Sequence, residues 1–229
     1  MVARPASRDR SSGHSSRVSV FELIAAGDEE RLREELDAKP DLAGTKNEEG
    51  LSPVLHALYN GKGELVEVLL EANPPLDVFD AAAVGRARGL EELLDGEPDL
   101  AHSWSPDGFT ALHYAAFFGQ EDSARTLLER GAAVGLVARN ANIHVTPLHS
   151  AASGAHPGIV RLLLEHGADP NTGQDGGFTP LHSAAANDDR ESVEALLEAG
   201  ADPALTNDEG KTPADLAGDE TRDLVAVSN

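Results

Sequence analysis

Histidines and carboxylates are the groups in this 229-residue chain that could do chemistry, nine of the former and forty of the latter. Three of the histidines stand three residues after a threonine, in Thr110-Ala111-Leu112-His113, Thr146-Pro147-Leu148-His149 and Thr179-Pro180-Leu181-His182. Imidazoles that recur in a fixed phrase invite a metal or general-base reading. Their offsets of 36 and 33 residues argue against it, because one per unit makes a row about one repeat apart, too open to share an ion. His102, His144, His156 and His166 have no mutual spacing from which a zinc set could be built. The acidic residues follow helix-surface periodicity, and there are no cysteines to supply disulfides, thiolate ligands or a nucleophile. Neither a Gly-rich phosphate loop nor a nucleophile elbow is present. The expectation is a protein without catalysis, cofactor or metal.

Composition narrows the class. The chain is 25% charged and 40% hydrophobic, which suits an extended core. No apolar run approaches the roughly 18 residues a membrane helix needs, and the leader has no apolar stretch of a secretory kind. A cytoplasmic monomer away from membranes is expected. The net charge of −22 is uneven: residues 1–20 hold Arg4, Arg8, Arg10 and Arg17 against Asp9, about +3, which leaves about −25 for the rest. An acidic body repels phosphate backbones, so no nucleic-acid binding is expected from the folded part. The acidity is read either as a solvated surface or as steering of a basic partner. Scarce Lys beside abundant Arg, Ala and Gly hints at a GC-rich, bacterial genome.

The elements that carry the histidines repeat. Each phrase leads to a pair of small residues, a Leu-rich segment and, in the two clean copies, Gly-Ala-Asp-Pro at 167–170 and 200–203. Thr before Pro is a helix start, since the hydroxyl caps free N–H groups and Pro loses nothing in the first turn. Gly131, Gly167 and Gly200 end the second helix of their units, and Asp-x-Gly turns lead into the next phrase. Residues 1–17, rich in Arg and Ser, read as a disordered basic tail. Units follow at about 18–46, 47–75, 76–104, 105–140, 141–173 and 174–206, with a cap at 207–229. Its last helix is expected over Glu220 to Val227. Two irregularities stand out. Asn73-Pro74-Pro75 replaces about nine residues, removing one hairpin and putting Leu76 in the Thr slot. The stretch from Leu136 to Ile143 is three residues longer than the usual link.

With Thr-Pro-Leu-His-x-Ala-Ala, a central Gly, a Leu pair and Gly-Ala-Asp in place, the chain resembles the ankyrin-repeat family over about residues 18–227. The resemblance implies an all-α solenoid of stacked helix-turn-helix units with β-hairpin or loop fingers. It also implies a backbone-bonding, structural role for His113, His149 and His182, and binding of another protein through the fingers and concave face.

Carried over position by position, the family's contact pattern falls on Tyr59, Asp107, Phe109, Phe117, Phe118, Asn142, Ile143, Asp175 and Phe178, with Trp104 nearby. Five of the chain's nine aromatics are among them. Aromatic anchors within a polar rim carry most interface energy. The competing reading packs Phe117 and Phe118 beneath the 136–143 loop and uses Trp104 to cover the missing-hairpin gap. A scaffold or adaptor that binds a partner protein is the leading expectation. An accessory or inhibitory subunit that acts on an enzyme through an acidic face is the alternative.

Overall fold

A computed structural model describes residues 18–226, and the basic tail at 1–17 lies outside the described residues, as does Val227. Among the described residues there are fourteen α-helices, no strand, and seven helix pairs in register with the sequence repeat. The pairs are α1 Val20–Ala26 with α2 Glu29–Ala38, α3 Pro53–Tyr59 with α4 Gly63–Glu71, and α5 Val78–Ala83 with α6 Ala87–Gly96. They continue as α7 Ala111–Phe117 with α8 Glu121–Glu129, α9 Pro147–Ser153 with α10 Pro157–Glu165, and α11 Pro180–Ala186 with α12 Arg190–Glu198. A short α13 Pro213–Leu216 and α14 Arg222–Val225 close the array. The first helices α5, α7, α9, α11 and α13 pack in sequence, and so do the second helices α6, α8, α10, α12 and α14. The fingers are turn loops, not β-hairpins: neighbours share isolated backbone bonds rather than a ladder, such as Arg139 N–H to the Gly108 carbonyl at 2.7 Å. A Cβ on Gly108 would lie 2.6 Å from the Arg139 backbone, so only glycine allows that approach.

One device starts every first helix. The residues before α1, α3, α5, α7, α9, α11 and α13 are Ser19, Ser52, Asp77, Thr110, Thr146, Thr179 and Thr212, all extended at the cap. All but Ser52 form a reciprocal box with the side chain three residues on. The expected cap of α5, Leu76, is corrected to Asp77, which boxes with Asp80. A leucine has no acceptor for the free N–H groups, and Asp77 Oδ1 takes two of them at 2.9 Å. The last helix is shorter than expected, starting at Arg222 rather than Glu220. Its preceding turn is bound by Asp188, whose carboxylate accepts the Glu220 and Thr221 N–H groups.

In the fourth, fifth and sixth units the box partner is the repeated histidine. His113, His149 and His182 Nδ1 each stand 2.8 Å from the cap hydroxyl. Their Nε2 atoms reach backbone carbonyls of the next finger, Val145 at 3.0 Å, Phe178 at 3.3 Å and Lys211 at 3.0 Å. A carbonyl can only accept, so Nε2 carries the proton and Nδ1 accepts from Thr Oγ1 and N–H: the tautomer is determined. The rings are therefore inter-unit rivets. His113 and His149 are buried, which pushes both imidazoles down to about 4, and burial lowers His182 as well.

The core is interrupted once. One cluster spans Val20 to Leu69 in the first two units, and a second runs from Val78 to Val225. The interruption falls where the finger of the third unit is missing. Fingers of the second and fourth units meet across the gap, with a Cβ on Gly50 only 2.8 Å from Pro106 Cγ. A third cluster, Leu51, Leu55, Ala83 and Tyr114 with Phe79, Phe109 and Phe118 against it, joins the two sides. Asp107 ties it: its carboxylate accepts Tyr59 Oη at 2.6 Å, Tyr114 Oη at 2.6 Å and Ser105 Oγ at 2.5 Å. Burial, with help from that carboxylate, pushes both tyrosine hydroxyls well above their ordinary range. On the far side of α5, buried Asp80 accepts the Ser52 hydroxyl and lies 3.6 Å from Lys46 Nζ. Burial and the neighbouring Asp77 raise its pKa.

The riveting histidines make stability pH-dependent. Unfolded imidazoles take up protons near 6.5 and the folded His113 and His149 only near 4, so the unfolded state binds more protons in between. Stability therefore falls as pH drops through that window, by on the order of 2–3 kcal/mol for each buried ring. Urea midpoints from pH 7 to 4 check this, and His149→Gln should flatten the slope. A second expectation concerns the joint at the gap. Asp107→Ala leaves the buried Tyr114 hydroxyl without its carboxylate and should cost about 2 kcal/mol in urea unfolding, with Asp107→Asn milder. A loss within the roughly 0.5 kcal/mol of an ordinary surface change would discount that role.

Candidate apolar site beneath the fingers

The aromatic joint does not bury all of its apolar surface. Beside it lies a cavity of about 290 Å3, floored by Tyr114 and Phe109 and walled by Tyr59, Phe117 and Phe118. Ile143 and Val145 from the long link close one side, with Ser150, Ser153 and Gln174 at the edge and His113 behind. The elements position these side chains simply. Tyr59 and Phe117 are the last residues of α3 and α7, where the chain turns toward the second helix, and Phe118 caps α7. The rings meet edge-on or tilted: Phe117–Phe118 at 5.2 Å, Tyr59–Phe118 at 6.1 Å, Phe109–Tyr114 at 6.0 Å. Such geometries add about 0.5–1.5 kcal/mol per pair beyond area. Phe117, Tyr59 and Ile143 are 46%, 45% and 48% exposed, three of the four large hydrophobics exposed among the described residues.

The ten residues picked from sequence divide. Tyr59, Phe109, Phe117, Phe118 and Ile143 surround the cavity. Asp107 is next to it, spent on the two tyrosines. Trp104 is elsewhere: the Arg139 guanidinium lies 4.2 Å from its ring centroid. The gap that Trp104 was set to cover is closed instead by Pro106 and the Tyr59–Asp107–Tyr114 bonds, because those groups face the second unit. Asn142 is exposed, its N–H held by Asn140 Oδ1 at 2.9 Å. Asp175 pairs with His144 Nδ1 at 2.7 Å, a contact that lowers its pKa, and its neighbour Gln174 is the one at the cavity. Phe178 lies one unit on, edge-on to His182 at 5.7 Å. Phe117 is not beneath the 136–143 loop, while Phe118 is half-buried against Tyr59. Tyr114 was missed, although the register carried the signal: it fills the slot that Ser150 and Ser183 occupy in the clean units.

No charged side chain lines the cavity apart from His113, whose ring is neutral at pH 7. The arrangement can take an apolar group out of water. No helix among the described residues is long and apolar enough to cross a membrane.

Comparison with known proteins agrees with the geometry. The family described as ankyrin repeats (3 copies) matches residues 20–138 and 133–207. An Arabidopsis thaliana protein named as an E3 ubiquitin-protein ligase, XBAT31, is 29% identical over 168 residues, 65% of this chain and 37% of its own length. Drosophila melanogaster palmitoyltransferase Hip14 is 36% identical over 94 residues, 41% of this chain and 14% of its own. Xenopus laevis CAP-Gly domain-containing linker protein 3 is 38% identical over 95 residues, 41% of this chain and 17% of its own. The chain thus spans well under half the length of these relatives. All three come from eukaryotes, and the bacterial source hinted at by composition finds no support in them. Ankyrin repeats in general mediate protein–protein interaction. With the family match running from residue 20 to 207 and the cap-and-rivet geometry repeating through it, the chain belongs to the ankyrin-repeat family.

Proposed function

We propose that the protein is a non-enzymatic scaffold or adaptor that binds a partner protein on the face formed by its fingers and first helices. The observation that carries this reading is the aromatic cavity under the fingers, with Phe117, Tyr59 and Ile143 left exposed around it. In a chain with nine aromatics, leaving two of them half in water at one opening has a cost that a partner removes. Tyr and Phe clustered at a partly enclosed depression are the usual anchors of interface energy. The finger residues Asn142 and Asp175 beside it would supply the polar rim.

Pull-down with the full chain tests the site. Phe117→Ala and Phe118→Ala together should reduce partner recovery about tenfold or more, the signature of a lost hot spot. Phe117 is exposed, so Phe117→Ala alone separates binding from folding. An unchanged set of recovered partners would remove the site assignment.

A further inference from the structure

The chemistry of the partner can be read from the site and its rim, granted that this face binds protein. The cavity has aromatic walls and no carboxylate: the nearest one, Asp107, is saturated by three hydroxyls. A cation buried there would have ring faces and no counter-charge, whereas an uncharged apolar group loses nothing. At about 290 Å3 the space falls at the small end of ligand pockets, which run about 300–1,000 Å3, and suits one bulky side chain.

The rim has the opposite character. Fingers of the second, fourth, fifth, sixth and seventh units adjoin in a row, through Gly50 with Pro106, Gly108 with Arg139, His144 with Asp175 and Gly176 with Asp208. Six carboxylates stand along that row: Glu48, Glu49, Asp107, Asp175, Asp208 and Glu209. Three Lys and Arg residues stand on the same row, so carboxylates outnumber cations there by three, and each cation contacts another group of the chain. Lys46 is 2.9 Å from Asp77, Arg139 is stacked on Trp104, and Lys211 is 2.8 Å from Glu209. The fingertips therefore present a line of negative charge next to an uncharged apolar cavity.

We infer that the partner docks an extended segment in which one bulky apolar side chain, aromatic or branched aliphatic, enters the cavity between Tyr59, Phe117 and Ile143, while Lys or Arg residues flanking it lie along the acidic fingertips. The anchor supplies affinity, and the flanks supply approach rate and register. The net charge of the chain, −22 and of one sign with the rim, steers the same class of partner.

Selection of phage-displayed random peptides of about twelve residues on the full chain, a length that spans several fingers, tests this directly. Selected sequences should share one Phe, Trp, Leu or Ile with at least two Lys or Arg beside it. Fluorescence anisotropy with a synthetic copy should lose about tenfold when the anchor becomes Ala. Ser153→Phe, which fills the cavity from its edge without removing an aromatic, should cost as much, and Phe117→Ala gives a second route should Ser153→Phe fail to fold. Glu48→Gln with Glu49→Gln, or raising NaCl from about 50 to about 300 mM, should weaken binding about threefold or more. Selected peptides that are apolar but lack basic flanks, or that bind independently of salt, would overturn the charge half while leaving the protein-binding site standing. Peptides indifferent to both Ser153→Phe and Phe117→Ala, or no selectable peptide at all, would overturn the inference. The pull-down decides separately whether the face binds protein.

Discussion

Each imidazole of the His113–His149–His182 row satisfies two demands at once, and the array depends on that double use. A helix start leaves free N–H groups, and a finger loop without strands leaves free carbonyls. The ring accepts from one with Nδ1 and donates to the other with Nε2, and only the neutral Nε2–H form can do both. An ionised Asp at this position offers acceptors alone and could not make the forward bond. Where the box partner is a carboxylate, as at Glu22, Asp80 and Asp215, it only accepts and has no proton to give to a carbonyl ahead. Asp80 binds backward instead, to Ser52 and Lys46.

The aromatic cluster answers the place where a finger is missing. Without a finger in the third unit, the flanking fingers close on each other, and Tyr59, Asp107 and Tyr114 supply the polar tie that the backbone no longer does. Intramolecular packing and partner binding, which stand as alternatives when the aromatics are seen only as a list, are properties of two sides of one cluster. Phe79, Phe109 and Tyr114 face inward to the joint, and Phe117 and half of Tyr59 face out.

Most of the fold was legible in the sequence, because the repeat encodes it locally: cap, Pro, small pair, Leu pair and terminal Gly all act within one unit. The site was legible only in part. Phe109, Phe117, Phe118, Tyr59 and Ile143 could be picked by position in the repeat, yet their meeting around one cavity depends on units two apart coming together over the missing finger. No periodicity records such a contact. Trp104 shows the limit, since an aromatic near a gap in sequence went to Arg139 on the other side. The cap of α5 shows another: counting residues through Asn73-Pro74-Pro75 landed on Leu76, while the chemistry of an acceptor selects Asp77. The acidity, set at first between mere solvation and steering, becomes specific once the fingers are in a row and their few cations are seen to be engaged.

The break between the two apolar cores has a mechanical meaning. A stack held by one continuous core transmits load from end to end, whereas here two apolar clusters meet through Leu76 and a third, aromatic cluster. The first two units can open as a block of their own while the remaining five stay folded, because repeat arrays lose structure at their weakest interface first. Anything seated between Tyr59 on one block and Phe117 on the other bridges that junction, so occupancy of the cavity and stiffness of the whole rod become the same variable.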